Sequence, residues 1–390
     1  MSATVTQSDS RPATPRSGPW LGVSVVAGIA CAAIGFATPA AFWTGYLVAA
    51  VFWMSISAGC LGITLVHGVS GGRWGRFIGR ALHAGLGTLW FSLLACWVLA
   101  LAAGYVFPWA GAYGHLNKHQ QVWLSPAVVG IRFAVICLIW LAYSTWLNAR
   151  YRRDAADPVS EMPQVVPAIG VLLFFISFSI VAIDFMMALS PAWASSMYPV
   201  IRIMNCAVSA MAVCAIATNR NLINPDAEKI GRVLDIGNLL QAFNLLWTYT
   251  SFSQYILIWT GDIASEVEYY MQRRTPFWFP VSFILFGLHF VLPFLLLLAR
   301  SVKKGPVAQT RVAWLLLVMC FLDVAWTLLP SSPVATFPAM ASAVLATAAI
   351  GGIWIFLFQR SFAVLPDMAM EDDEHAEAHH AIHPISGDTI

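Results

Sequence analysis

Four charged side chains sit inside segments otherwise apolar enough to span a membrane: Arg132, Asp184, Arg202 and Asp323. An ionisable group in hydrocarbon is costly, so each is a candidate for function, facing a bundle interior or a water-filled cavity. Arg132, Asp184 and Arg202 lie at similar depth on consecutive segments and are expected to form one charge-compensated cluster, either a structural ion pair or part of a proton relay. Asp323 has no base on its own segment. It is expected to stay protonated, a state suited to carrying a proton. Toward the other side of the membrane lie His67, His83 and Asp235, with His289 near the middle of its segment.

The segment around residues 237–260 is the most polar. Gln241, Asn244, Thr248, Ser251, Tyr255 and Asp262 fall within an arc of about 80° at 100° per residue and span about 32 Å at 1.5 Å per residue. That length matches the hydrocarbon core, so the stripe is expected either to line a proton path or to make interhelical hydrogen bonds. The next loop, 261–270, gathers Asp262, Glu266, Glu268 and two tyrosines at the interface, as a docking surface, the mouth of a pathway or a plain solvated loop.

Other chemistry is excluded by residue type and spacing. All seven cysteines lie inside apolar runs without a C-x-x-C pair, which makes them small core residues. A membrane haem needs facing axial histidines, and only His83 and His289 fall within the expected spans, so no cofactor or metal is expected on this chain. Phosphate loops, nucleophile triads and zinc motifs are missing. His375, His379, His380 and His383 belong to a polar tail. Basic residues are scattered and the net charge is only +2, which argues against nucleic acid.

The elements that must hold these residues follow from composition: 59% of residues are hydrophobic and 10% charged, too few charges to cover a soluble fold. Apolar runs of about 20 residues predict an all-α integral membrane protein of about ten helices. They are expected near 20–37, 41–66, 81–106, 125–148, 165–189, 193–217, 237–260, 278–299, 311–329 and 339–360. A polar N-terminal tail (1–19) precedes the transmembrane domain (20–365), and an acidic, His-rich tail (366–390) follows. Sixteen of the 21 Lys and Arg residues fall at the termini and in the even-numbered loops. The positive-inside rule therefore places both termini in the cytoplasm.

Two segments echo each other. Asp184 to Pro191 and Asp323 to Pro330 share D-x-x-x-x-L-x-P, four helices apart and in the same orientation. The spacing predicts two similar four-helix bundles, helices 2–5 and 6–9, flanked by helices 1 and 10.

In this second half the chain also resembles a known family. LDIGNLLQAFNLLWTYTSFSQYILIWTGDIASEVEYYMQR (234–273), LHFVLPFLLLLARSVKK (288–304) and FLDVAWTLLP (321–330) resemble the smaller membrane subunit of alternative complex III, a quinol:cytochrome c oxidoreductase. AIDFMMALSPAWASSMY (182–198) and HLNKHQQVWLSPAVVGIRFAVICLIW (115–140) are similar to further segments of that subunit and of the wider NrfD-like, polysulfide-reductase-type family. The resemblance covers about half the chain.

It implies a bacterial inner-membrane subunit of the respiratory chain, without redox cofactor of its own. Its partners would be an iron–sulfur, molybdopterin-like subunit, a multihaem cytochrome c subunit and a larger NrfD-like subunit that binds quinol, with haem c and iron–sulfur clusters held by those partners. The smaller subunit would supply a proton path. Asp184, Asp235, Glu266, His289 and Asp323 fall on polar positions typical of the family. The family's L-E-P-H-W after helix 5 is Leu189 to Trp193 here, without its acid and histidine, and N-L-P-E-E after helix 7 keeps only Glu266. Both departures weaken the case for a quinol site on this chain. A secondary transporter and a purely structural anchor are the rival expectations.

Overall fold

The computed structural model describes residues 18–110, 117–156, 164–220, 222, 225–332 and 334–367. The expected acidic tail and its histidines, and most of the N-terminal tail, lie outside the described residues. Within them the protein is helical throughout, with no strand.

Among the described residues ten long helices follow one another: α1 (Gly18–Ala37), α2 (Pro39–Ser70), α3 (Arg73–Val106), α4 (Pro126–Ala156), α5 (Val165–Phe185), α6 (Met197–Asn219), α7 (Ala227–Gly261), α8 (Trp278–Leu298), α9 (Pro306–Leu328) and α10 (Thr336–Val364). Nine are long and apolar enough to cross a membrane. The exception is α7, whose 35 residues give ample length but carry the polar residues noted above. An even number of crossings brings Gly18 and Val364 to one face, called here the terminal face, with the far face opposite.

Several helices outrun their expected apolar cores. The α3 helix starts at Arg73, α4 continues to Ala156, and α7 starts at Ala227, where the Asp226 side chain accepts from the Lys229 amide at 2.8 Å. These extra turns are amphipathic and carry Arg76, Arg80, Arg150 and Arg232, so hydropathy alone truncates them. His67, expected just beyond helix 2, lies within α2 for the same reason. Between α2 and α3, Gly71 (φ 66°) and Gly72 (φ 99°) make a reversal that side chains other than glycine rarely adopt.

The expected bundles form. The α2 helix packs on α3, α4 and α5, and α6 packs on α7 and α9 with α8 beside them, while α1 and α10 flank the first group. The two halves meet where α2 crosses α6. A Cβ on Gly59 there would land on the Cys206 backbone, so only glycine permits the approach. A polar knot ties α2, α3 and α10: Ser57 Oγ lies 3.0 Å from Thr88 Oγ1 and 2.9 Å from Ser92 Oγ, and accepts from Trp354 Nε1 at 2.9 Å. Such bonds hold helices together where lipid supplies no hydrophobic drive.

The sequence echo is not in register in the fold: α5 ends at Phe185 and its 3-10 turn is Met187–Leu189, three residues past Asp184, whereas α9 runs to Leu328 and its turn is Leu329–Ser331, six residues past Asp323.

Candidate functional site

The single cluster expected of Arg132, Asp184 and Arg202 is instead two ion pairs, and Asp323 is not alone. Arg132 on α4 pairs with Asp184 on α5, and Arg202 on α6 pairs with Asp323 on α9. Sequential order misleads here because α6 packs directly on α9, its neighbour in space across two intervening helices. The acids repeat between bundles, whereas their bases come from non-equivalent helices.

The two pairs differ in how completely they are satisfied. Arg132 Nη2 lies 2.7 Å and 2.8 Å from the two Asp184 oxygens, and Nε donates to Oδ2 at 3.0 Å. Trp123, on the short helix Lys118–Trp123, adds an indole bond to Oδ1 at 3.1 Å and stacks under the guanidinium at 4.0 Å. That knot is closed.

The Arg202–Asp323 pair is open. Arg202 Nη2 lies 2.8 Å from Asp323 Oδ2, which also accepts from Asn205 Nδ2 at 2.8 Å. Arg202 is 5% exposed, yet its Nε and Nη1 have no hydrogen-bond partner. Buried donors of this kind are uncommon and mark a place where water or a ligand belongs.

Both members of this pair line a cavity of about 1070 Å³ at the far-face half of α7, α8 and α9. One wall is aromatic and includes Tyr249, Phe252, Trp259, Phe283 and Phe286, all exposed on the bundle surface and so bordering the cavity where it meets lipid. Part of the expected α7 stripe also lines it: Thr248, Ser251 and Tyr255, together with the buried Gln254. Asp262 also lines the cavity but lies just past the helix, as a left-handed C-cap (φ 45°).

The stripe does not run on as one open face. Gln241 and Asn244 lie outside the cavity; Asn244 is buried and donates from Nδ2 to the His289 carbonyl at 2.9 Å. The helix turns its buried side through Leu240, Asn244, Trp247 and Gln254, which leaves Tyr255 and Asp262 at the exposed edge. Packing against α6 and α8, rather than the polar arc, sets that rotation.

His289 sits one ring behind the cavity wall, stacked on Trp247 at 3.8 Å between centroids, with Nε2 3.8 Å from Cys320 Sγ. Around it α8 widens into a π-helix over Leu285–Val291. The following Pro293 has no N–H to return to the His289 carbonyl, and the Asn244 amide serves that acceptor instead. Beneath the ion pair, Asn205 Oδ1, Asn244 Oδ1 and His289 Nδ1 are buried without hydrogen-bond partners.

Other expected residues fall elsewhere. Asp235 is half exposed, 3.9 Å from Arg232, and Glu266 is half-buried; neither lines the cavity. His83 is stacked on Tyr151 at 4.1 Å and its Nδ1 is 2.7 Å from Asn148 Oδ1. The loop 261–270 folds into a short helix, Ala264–Met271, whose Tyr269 turns inward to stack on Trp193 at 4.2 Å.

One important residue carries no sequence signal. Arg273, beyond that short helix, is 2% exposed and clamps it to the end of α9, donating to the carbonyls of Tyr269, Trp326 (3.1 Å) and Thr327 (2.6 Å). Its guanidinium lies over the rings of Tyr269 (3.5 Å) and Trp326 (4.9 Å). Burial pushes it below its usual basicity, and among the described residues no carboxylate pairs with it. In the sequence it is one of two basic residues in a loop, indistinguishable from a solvated charge.

No protein-family model matches the chain, and a search of curated proteins finds no match, so its function is read from this site and from the residues quoted above.

Proposed function

We propose that this chain is a membrane subunit of a quinol:cytochrome c oxidoreductase of the alternative complex III type, and that it moves protons while partner subunits oxidise quinol. The observation that carries the reading is the Arg202–Asp323 pair, buried at a cavity with two guanidinium nitrogens unpartnered. A carboxylate held by one arginine nitrogen and one amide can take up a proton and release its partner, because Arg202 has spare donors with which to rebind. Thr248 and Tyr255 bring hydroxyl groups to the cavity lining, and the Ser251 hydroxyl is buried without a partner. The three unpartnered groups of Asn205, Asn244 and His289 are the next polar stations toward the terminal face. The cavity itself stops short of Asn244 and His289, so transfer beyond the pair needs a conformational step, for which the π-helix of α8 is the natural hinge.

The partners expected are the iron–sulfur, molybdopterin-like subunit, the multihaem cytochrome c subunit and the larger NrfD-like subunit. Affinity purification of the full chain from its native membrane, read by haem absorbance and metal content, tests this. Copurified haem c and iron–sulfur protein are expected. A stable chain that purifies without them overturns the reading.

A structural anchor is the second reading, and the saturated Arg132–Asp184 knot favours it for the first bundle. The variants described in the Discussion separate the two.

A further inference from the structure

We propose that the acidic run Glu371–Glu374 of this chain docks on a stripe of arginines, Arg73, Arg76 and Arg80, along the first turns of α3 on the terminal face. The inference goes beyond proton transfer and does not depend on it.

The observed seat is the first argument. Past α10 the chain is fastened to α3 and α4 as far as the described residues follow it. Arg80 donates from Nε to the Phe362 carbonyl at 2.8 Å, lies over the Phe362 ring at 4.6 Å and pairs through Nη1 with Asp367 at 2.7 Å. Tyr151 on α4 donates its hydroxyl to the Pro366 carbonyl at 3.0 Å, and the neighbouring Leu365 is 3% exposed. One acid of this segment therefore already rests on one arginine of the stripe.

Direction is the second. The α10 helix ends on the terminal face where α3 begins, so the two packed helices run antiparallel. Their contacts step outward, with Ser361 facing Gly87 and Phe362 against Arg80. A chain continuing that way meets Arg76 and then Arg73. Both are exposed, one and two turns before Arg80 on the same side of α3, and the three fall within about 60° of arc and about 10 Å of length. Glu371 is four residues past Asp367, an extended reach of about 13 Å, so the acids that start there can cover the stripe.

Charge is the third. Glu371, Asp372, Asp373 and Glu374 are four consecutive acids, and no Lys or Arg lies among residues 368–390. Exposed ion pairs are weak singly. A tether of four residues offsets that weakness, because it holds the acids beside the arginines at about millimolar effective concentration.

The test is zero-length crosslinking of the full chain, with any subunits that copurify, in phosphatidylcholine nanodiscs. Arg73→Lys and Arg76→Lys each keep the charge at an exposed site and supply an amine. A water-soluble carbodiimide condenses that amine with a carboxylate in contact with it, forming an amide and passing the elements of water to the reagent. Peptide mass spectrometry is expected to find each new amine joined to the run Glu371–Glu374. Links from those acids to Lys229, Lys303 and Lys304, native lysines on the same face, should be at least about fivefold rarer. In about 1 M salt, where charges are screened beyond about 3 Å, the yield should fall several-fold. The link is expected to persist in phosphatidylglycerol nanodiscs.

Absence of the link, equal yields to the other lysines, or a yield indifferent to salt each overturn the proposal. So does loss of the link in phosphatidylglycerol alone, which would assign the stripe to anionic lipid headgroups.

Discussion

Asn244 Nδ2 donates to the His289 carbonyl at 2.9 Å, the acceptor that Pro293 cannot serve. A side chain of α7 thereby completes the backbone of α8 where that helix is widest. Asn244→Ala strands a buried carbonyl and is expected to cost about 1–3 kcal/mol. Pro293→Ala restores a backbone donor to the same oxygen. The two together should cost less than their sum, and thermal unfolding of all four proteins in one detergent measures that coupling. Strict additivity would show that Asn244 does not serve this carbonyl.

The two ion pairs should part company when both partners are neutralised. Single substitutions leave a buried charge unpaired, and about 3–5 kcal/mol of destabilisation is expected for Arg202→Gln or Asp323→Asn. The double variants R132Q/D184N and R202Q/D323N avoid that loss and should assemble. Proton uptake by reconstituted vesicles during quinol oxidation should survive in the first and vanish in the second. Normal uptake in both would leave the chain an anchor only.

Arg273 is expected to resist conservative replacement. Lysine keeps the charge but cannot reach three carbonyls while lying flat against Tyr269 and Trp326. Arg273→Lys should destabilise by about 2–3 kcal/mol. Hydrogen exchange of the short helix Ala264–Met271 should rise with it, and unchanged protection there would contradict the clamp.

Asp226 links the start of α7 to pH. Its bonds to the Lys229 amide and side chain hold its carboxyl below the usual range. The cap is therefore fully formed above the unfolded carboxyl's value near 4 and is lost as pH falls through the lower folded value. Exchange of the Lys229 amide, taken relative to its intrinsic rate at each pH, should accelerate on acidification below about pH 4. In Asp226→Asn, whose amide oxygen still caps the turn, that acid-dependent increase should disappear.

The helices were legible because lipid imposes a simple rule of length and apolarity, and the D-x-x-x-x-L-x-P echo marked two acids that each hold an arginine. Pairing was not legible. Depth along a helix can be counted, but which helices touch cannot, and Arg202 therefore looked like a partner for Asp184 rather than for Asp323. The stripe on α7 lines the cavity only in part for a related reason: an arc of polar residues shows what one face offers, while packing against α6 and α8 fixes where it points. Arg273 was missed because its role comes entirely from carbonyls and rings supplied by other segments.

The α2 helix has a consequence for how the protein is made. Nearly all of its apolar window is enclosed by other helices, with α5, α6, α9 and α10 arriving between about 130 and 300 residues later along the chain. Yet it is as apolar as helices that face lipid throughout, so it can rest among acyl chains during synthesis until those companions are inserted. Its composition suits two successive solvents, bilayer first and protein afterwards, and Gly59 keeps open the place where α6 must finally come to lie.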